Sequence, residues 1–184
     1  MKRAVFLDRD GVINKNRQDY VKSWNEVEFL PGIFSALKEL ADSDFSIFVI
    51  SNQSAVGRGL LEISTLEAMH QQMKKVVASQ GGRIDGFYYC PHRPEENCTC
   101  RKPAPGLILA AAADHDLQLE KSYFIGDARS DMEAAVKAGC QPVLVLSGRG
   151  VNQLSMIHGS LRSALKIVSD LPEAVQWIMQ IHDF

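Results

Sequence analysis

No segment of this chain is apolar over a membrane-spanning length, and Met1-Lys2-Arg3 leads directly into a strand pattern, not a signal peptide. A basic field is missing too. The 20 lysines and arginines stand against 22 aspartates and glutamates, a net charge of −2, so neither nucleic acid nor a membrane surface is an expected partner. No linker, internal repeat or low-complexity run divides the 184 residues; one domain spanning 1–184 is expected, long enough to bury its own core. Cysteine is scarce. Of the four, Cys90, Cys98 and Cys100 fall close together, and in a reducing compartment such clustering favours a metal over disulfides. These absences leave a cytoplasmic monomer as the expectation.

Short apolar runs recur at 4–7, 46–50, 87–90, 122–125, 142–146 and, more weakly, 165–168, with helical patterns between them. That alternation predicts an α/β fold: a doubly wound, mainly parallel, Rossmann-like sheet with helices on both faces. Residues 14–30 lack periodicity and read as a loop over the end of the first strand. Pro31 is expected to open a helix with Ile33, Phe34, Leu37 and Leu40 on one face. Ser64 with Glu67, and Ser130 with Glu133, have capping-box spacing; the second pair puts Asp131 in a helix's first turn. Met69, Met73 and His70 read as core and surface residues, Cys140 as a small buried one, and the tail as a strand and a helix in which Trp177 packs.

The run Ala4-Val5-Phe6-Leu7 stops abruptly at Asp8 and Asp10, and Gly11 lets the chain turn away. An acidic turn after a strand is common. Here, however, Ser51 and Asn52 end the second strand, Arg101 and Lys102 follow the loop after the third, and Asp127 and Asp131 follow the fourth. A right-handed doubly wound sheet brings these strand ends into one crevice. Crowded carboxylates need a counter-cation, and an all-oxygen set suits Mg²⁺ together with a substrate phosphate. The pattern predicts phosphoryl transfer. Asp8 is the expected nucleophile, forming an aspartyl-phosphate; Asp10 is the general acid and base; Ser51 and Lys102 hold the phosphoryl oxygens. Mg²⁺ is expected on Asp8, Asp10 and Asp127, with Asp131 behind them. Cys90-x-His92-x₅-Cys98-x-Cys100 supplies three thiolates and an imidazole, a closed tetrahedral set for a structural Zn²⁺ that would fix where Arg101 and Lys102 point.

Asp8-x-Asp10-Gly11, the strand-end Ser51, Lys102 and Gly126-Asp127-x-x-x-Asp131 resemble the four motifs of the haloacid-dehalogenase-like phosphatase superfamily, over residues 4 to about 150. The resemblance implies the roles just given and adds the main-chain carbonyl of Asp10 as a Mg²⁺ ligand. The lengths on either side of Ser51 leave no room for a cap domain, so an open, capless site walled by loops is expected. The zinc loop is similar to one branch, which contains D,D-heptose 1,7-bisphosphate phosphatases and histidinol-phosphate phosphatases. Residues 8–14, Asp19-Tyr20, residues 29–32 and residues 51–59 lean to the former. That implies removal of the C7 phosphate of a heptose bisphosphate, a step toward activated heptose for surface polysaccharide. The implied substrate contacts are Asn16, Asp19 and Tyr20 on the sugar side, Asn52, Gln53 and Ser54, and Arg58 and Arg101 for a second anion. Ala128 stands where family members often carry lysine, and the His92–Cys98 spacing also suits the histidinol-phosphate branch. Histidinol phosphate is the alternative substrate. A phospho-acceptor receiver domain is the alternative class, though Asp10 and the cysteine loop argue against it.

Overall fold

The computed structural model describes residues 2–182. Six strands, β1 (Ala4–Leu7), β2 (Ser46–Asn52), β3 (Gly86–Cys90), β4 (Tyr123–Gly126), β5 (Gln141–Val145) and β6 (Lys166–Val168), form one sheet in the order β3-β2-β1-β4-β5-β6. Every neighbouring pair is parallel. The crossovers carry α1 (Ile33–Ala41), α2 (Ser54–Gly57), α3 (Ile63–Ser79), α4 (Gly106–His115), α5 (Arg129–Ala138), α6 (Gly150–Leu154) and α7 (Gly159–Ala164), and α8 (Leu171–His182) closes the chain.

All four residues of β1 are fully buried, because it has a strand on either side and helices on both faces. Side chains along a strand alternate between faces, and this splits the core in two. Val5 and Leu7 join Ile47, Val49, Ile125, Val143 and Val145 under α1, α8 and the end of α3. Ala4 and Phe6 join Phe48, Ile50, Phe124 and Leu144 under α4 and α5. The strand order reverses at β1, so a crevice opens between the carboxyl ends of β1 and β4, where α/β sheets bind ligands.

Loop 14–30 is tied down. Asn14 bridges to Phe29, Lys15 N–H donates to Glu28 C=O, and Leu30 N–H donates to Ile13 C=O. Its middle docks Val21, with Tyr20, Trp24 and Val27, onto Ala55, Leu61, Leu66 and Met69. Neither expected serine cap forms. α3 begins at Ile63 after an extended Glu62, because the buried Leu61 anchors the chain there, and Ser64 falls inside the first turn. α5 begins at Arg129; the Asp131 carboxylate, not Ser130, accepts the Ala128 N–H at 3.0 Å, while Glu133 pairs with Arg129 at 2.6 Å. α2, α6 and α7 are too short to leave a helical period in sequence. No described helix is long and apolar enough to cross a membrane.

Candidate active site

Four strand ends meet around a buried lysine. Asp8 leaves β1 with its N–H donated to Ile125 C=O on β4, which fixes the carboxylate at the mouth of the crevice. Lys102 arrives from the loop after β3. Asn52 latches it: the Asn52 amide donates to Lys102 C=O and accepts the Lys102 N–H, both at 3.1 Å. Lys102 Nζ then donates to Asp8 Oδ1 at 2.8 Å and Ile50 C=O at 2.9 Å, and forms an ion pair with Asp131 Oδ1 at 2.7 Å. The charge is buried but fully partnered, and the two carboxylates outweigh burial to push its pKa up. Burial raises Asp8 to about 6, with Asp131 and Asp10 adding and Lys102 opposing.

Asp127 directly follows β4 and has no exposed surface. It accepts the Asn16 amide and the Arg149 N–H, each at 2.8 Å, and the Arg149 guanidinium lies 3.5 Å away. Burial, then the charge on Asp8, raises its pKa. Two glycines make room for it: at Gly11 (φ +94°) and at Gly148 (φ +58°) a methyl group would overlap the Asp127 carboxylate. Carboxylate oxygens of Asp8, Asp127 and Asp131 lie within 4.8 Å of one another. Mutual repulsion of this kind is relieved by a hard cation, and the donor set fits one.

The Asp10 carboxylate stands apart from that trio. It receives the Arg9 guanidinium, Asn14 Nδ2 at 2.8 Å and Gln53 Nε2 at 3.1 Å. Burial would raise its pKa, but the Arg9 charge and these bonds outweigh it and the net shift is downward. Ser51, 1 % exposed, accepts Gln53 Nε2 at 2.6 Å, so Gln53 joins Ser51 to Asp10 from within the wall. Above them is a cleft of about 340 Å³ lined by Arg9, Asp10, Asn16, Arg17, Tyr20, Val21, Asn52, Gln53, Ser54, Arg101, Lys102, Ser130 and Arg149.

Of the residues expected at the site, Asn16, Tyr20, Asn52, Gln53, Ser54 and Arg101 line this cleft, whereas Asp19 and Arg58 do not. Asp19 pairs with Lys22 and Arg17, and the Arg58 guanidinium lies 3.7 Å from Glu95. Arg129, next to Ala128, bonds Glu133 and borders a different groove. Three cleft cations escaped the sequence reading, Arg9, Arg17 and Arg149. The signal for Arg149 was present: Gly148-Arg149-Gly150 follows β5, and the strand-end rule that selected Asp8 and Asp127 applies there equally.

Beside the cleft, Cys90, His92, Cys98 and Cys100 converge with sulfur–sulfur separations of 3.3–3.5 Å and His92 Nδ1 3.3 Å from Cys100 Sγ. This is the donor set and spacing of a closed tetrahedral metal site. The same loop accepts the Gln53 and Gly57 N–H groups at Cys90 C=O and Pro91 C=O, and holds Arg101 through His92 C=O at 3.2 Å.

A parallel sheet with a strand-end aspartate, a buried lysine and a second acid pair at the reversal of strand order defines a haloacid-dehalogenase-like hydrolase. Residues 99–174 match the HAD-hydrolase-like family model. The chain is 43 % identical to the D-glycero-beta-D-manno-heptose-1,7-bisphosphate 7-phosphatase of Pseudomonas putida over 83 % of this chain and 87 % of that protein. It is 36 % identical to the Bordetella bronchiseptica enzyme of that name over 97 % of this chain and 98 % of that one. The crystal structure of the B. bronchiseptica D,D-heptose 1,7-bisphosphate phosphatase, complexed with magnesium and phosphate, superposes with a TM-score of 0.92, covering 97 % of this chain and 99 % of that one at 36 % identity. The chain belongs to the D-glycero-D-manno-heptose-1,7-bisphosphate 7-phosphatase family.

Proposed function

We propose that this protein removes the 7-phosphate of D-glycero-D-manno-heptose 1,7-bisphosphate through an aspartyl-phosphate on Asp8. The observation that carries the chemistry is Lys102 Nζ, buried and shared between Asp8 and Asp131 at the floor of a cleft walled by Arg17, Arg101 and Arg149. The Asp8 carboxylate attacks phosphorus and the P–O bond to the sugar breaks, while Asp10, protonated at this step against the downward pull of Arg9, gives its proton to the departing oxygen. Water then attacks the phosphoryl group and yields a proton to Asp10, and the Asp8–phosphorus bond breaks to release phosphate. Lys102 and the Ser51 hydroxyl hold phosphoryl oxygens as charge moves onto them. Asp8, Asp127 and the main-chain carbonyl of Asp10 would hold Mg²⁺, with Asp131 behind them. When bound, the ion supplies positive charge against the phosphoryl oxygens. A bisphosphate brings a second anion, and the arginines lining the cleft suit it. Comparing phosphate release from heptose 1,7-bisphosphate and histidinol phosphate tests the substrate. A kcat/KM at least about tenfold higher for the heptose supports the reading, since a site built around a second anion leaves that anion's partners unpaired with a monophosphate; faster turnover of histidinol phosphate overturns it.

Cys90, His92, Cys98 and Cys100 are the ligands of a structural Zn²⁺ in this reading, with no open coordination position. Its work is to hold Arg101 and Lys102. Elemental analysis should find about one zinc per chain, and Cys98→Ser should lose it and lower kcat at least about tenfold. Zinc-free protein that is folded and fully active refutes the structural role.

A further inference from the structure

Arg9 lies between the two aspartates at the end of β1 and is only 2 % exposed. Its guanidinium forks onto Asp10, with Nη2 2.9 Å and 3.1 Å from the two carboxylate oxygens and Nε 3.2 Å from one of them. Nη2 also donates to Gln53 Oε1 at 3.1 Å. Behind it, Nη1 faces Nε2 of His70 on α3 at 3.4 Å. His70 is 3 % exposed and its ring lies flat on Phe87, with centroids 4.4 Å apart and planes 9° apart. It is absent from the lining of the substrate cleft and borders a separate groove outside β3 instead. Burial and the neighbouring guanidinium depress the imidazole to about 3, so the ring is neutral, and because a guanidinium can only donate, Nε2 is the nitrogen that meets Arg9 with a lone pair.

These contacts sort the charges of the site. Lys102 pairs with Asp8 and Asp131, Arg149 with Asp127, and Arg9 with Asp10 alone. Asp10 thus has a cation of its own, separate from the two that hold its three neighbours. A planar fork fixes a carboxylate in angle as well as distance, and a fork held from three elements cannot swing. We propose that His70 and Gln53 seat the Arg9 guanidinium, and that Arg9 thereby aims the Asp10 carboxyl at the leaving oxygen; Arg9 and His70 are positioning residues for proton transfer. The inference rests on the reading of Asp10 as the acid.

Leaving-group dependence tests it. A sugar alkoxide needs a proton as it departs, whereas p-nitrophenolate does not, and kcat/KM reports this first half-reaction. His70→Phe retains the ring against Phe87 and removes the lone pair. It should lower kcat/KM about tenfold on an alkyl phosphate (heptose bisphosphate, or histidinol phosphate should that be the substrate turned over), a part of the roughly 10²–10⁴ that a general acid supplies. On p-nitrophenyl phosphate the value should stay within about twofold, and His70→Gln, which restores an acceptor, should recover most of the loss. Equal losses on both esters, or none, overturn the proposal. Should His70→Phe fail to fold, Arg9→Lys must show the same drop in the ratio of the two values. Asp10→Asn run alongside separates the two readings. If it too loses equally on both esters, the assignment of Asp10 falls; if it is selective and His70→Phe is not, only the positioning role falls.

Discussion

Asp8→Asn is expected to lower kcat by at least about 10⁴-fold while leaving the melting temperature of the metal-free protein within a few degrees of its starting value. The two halves of that result have separate causes. An amide cannot attack phosphorus to form the acyl-phosphate, so no burst of leaving group should precede turnover. The amide oxygen has the shape of the carboxylate oxygen and can still accept Lys102 Nζ, now 2.8 Å away. Folding also loses little. Burial and the nearby acids already hold Asp8 up at about 6, so a neutral group suits its surroundings better than an anion does. Rapid-quench and steady-state assays, with thermal melts in parallel, read both halves. A near-normal rate would remove Asp8 as nucleophile.

Asp8 and Asp127 were legible in the sequence because each closely follows an apolar run that had to be a strand, and Lys102 because it closes the cysteine loop after a third such run; one strand end implies the others. The limits of β1, β2, β4 and β5 came through, within two residues, for the same reason: side chains buried on both faces leave unbroken apolar runs. Position alone does not give orientation. Asp10 was expected to give its side chain to proton transfer and its main-chain carbonyl to Mg²⁺, and that side chain turns to Arg9, Asn14 and Gln53. Nothing in Asp-Arg-Asp-Gly says which way that carboxylate faces; the answer depends on Gln53 from the end of β2 and on His70 from α3. Gln53 illustrates the point from the other side. Expected to touch substrate, it lines the cleft but spends its amide on Ser51, Asp10 and Arg9. The serine caps failed for a local reason, since Asp131 offered α5 a better acceptor while also serving Lys102.

Lys102→Met should cost the metal-free protein about 3–5 kcal/mol of stability at neutral pH and lower kcat about 10²–10³-fold in the Mg²⁺-loaded enzyme. Methionine fills the space of the lysine stem but leaves Asp8 and Asp131 facing each other in a buried site, their side chains 8 % and 2 % exposed, without the cation they share. The stability loss should depend on pH. Asp8 has a higher pKa folded (about 6) than unfolded (3.8), so between these values the folded state binds more protons. Its stabilising contribution is therefore complete below about pH 4 and lost as the pH rises through about 6. Lys102 opposes that upward shift, so its removal moves the upper edge of the window higher. Denaturant titrations of metal-free wild type and Lys102→Met should show the full deficit near pH 7.5 and a smaller one near pH 5, where the abandoned Asp8 carboxylate takes up a proton. A deficit of the same size at both values would mean that packing around the lysine stem, and not the charge it holds between two acids, carries its contribution.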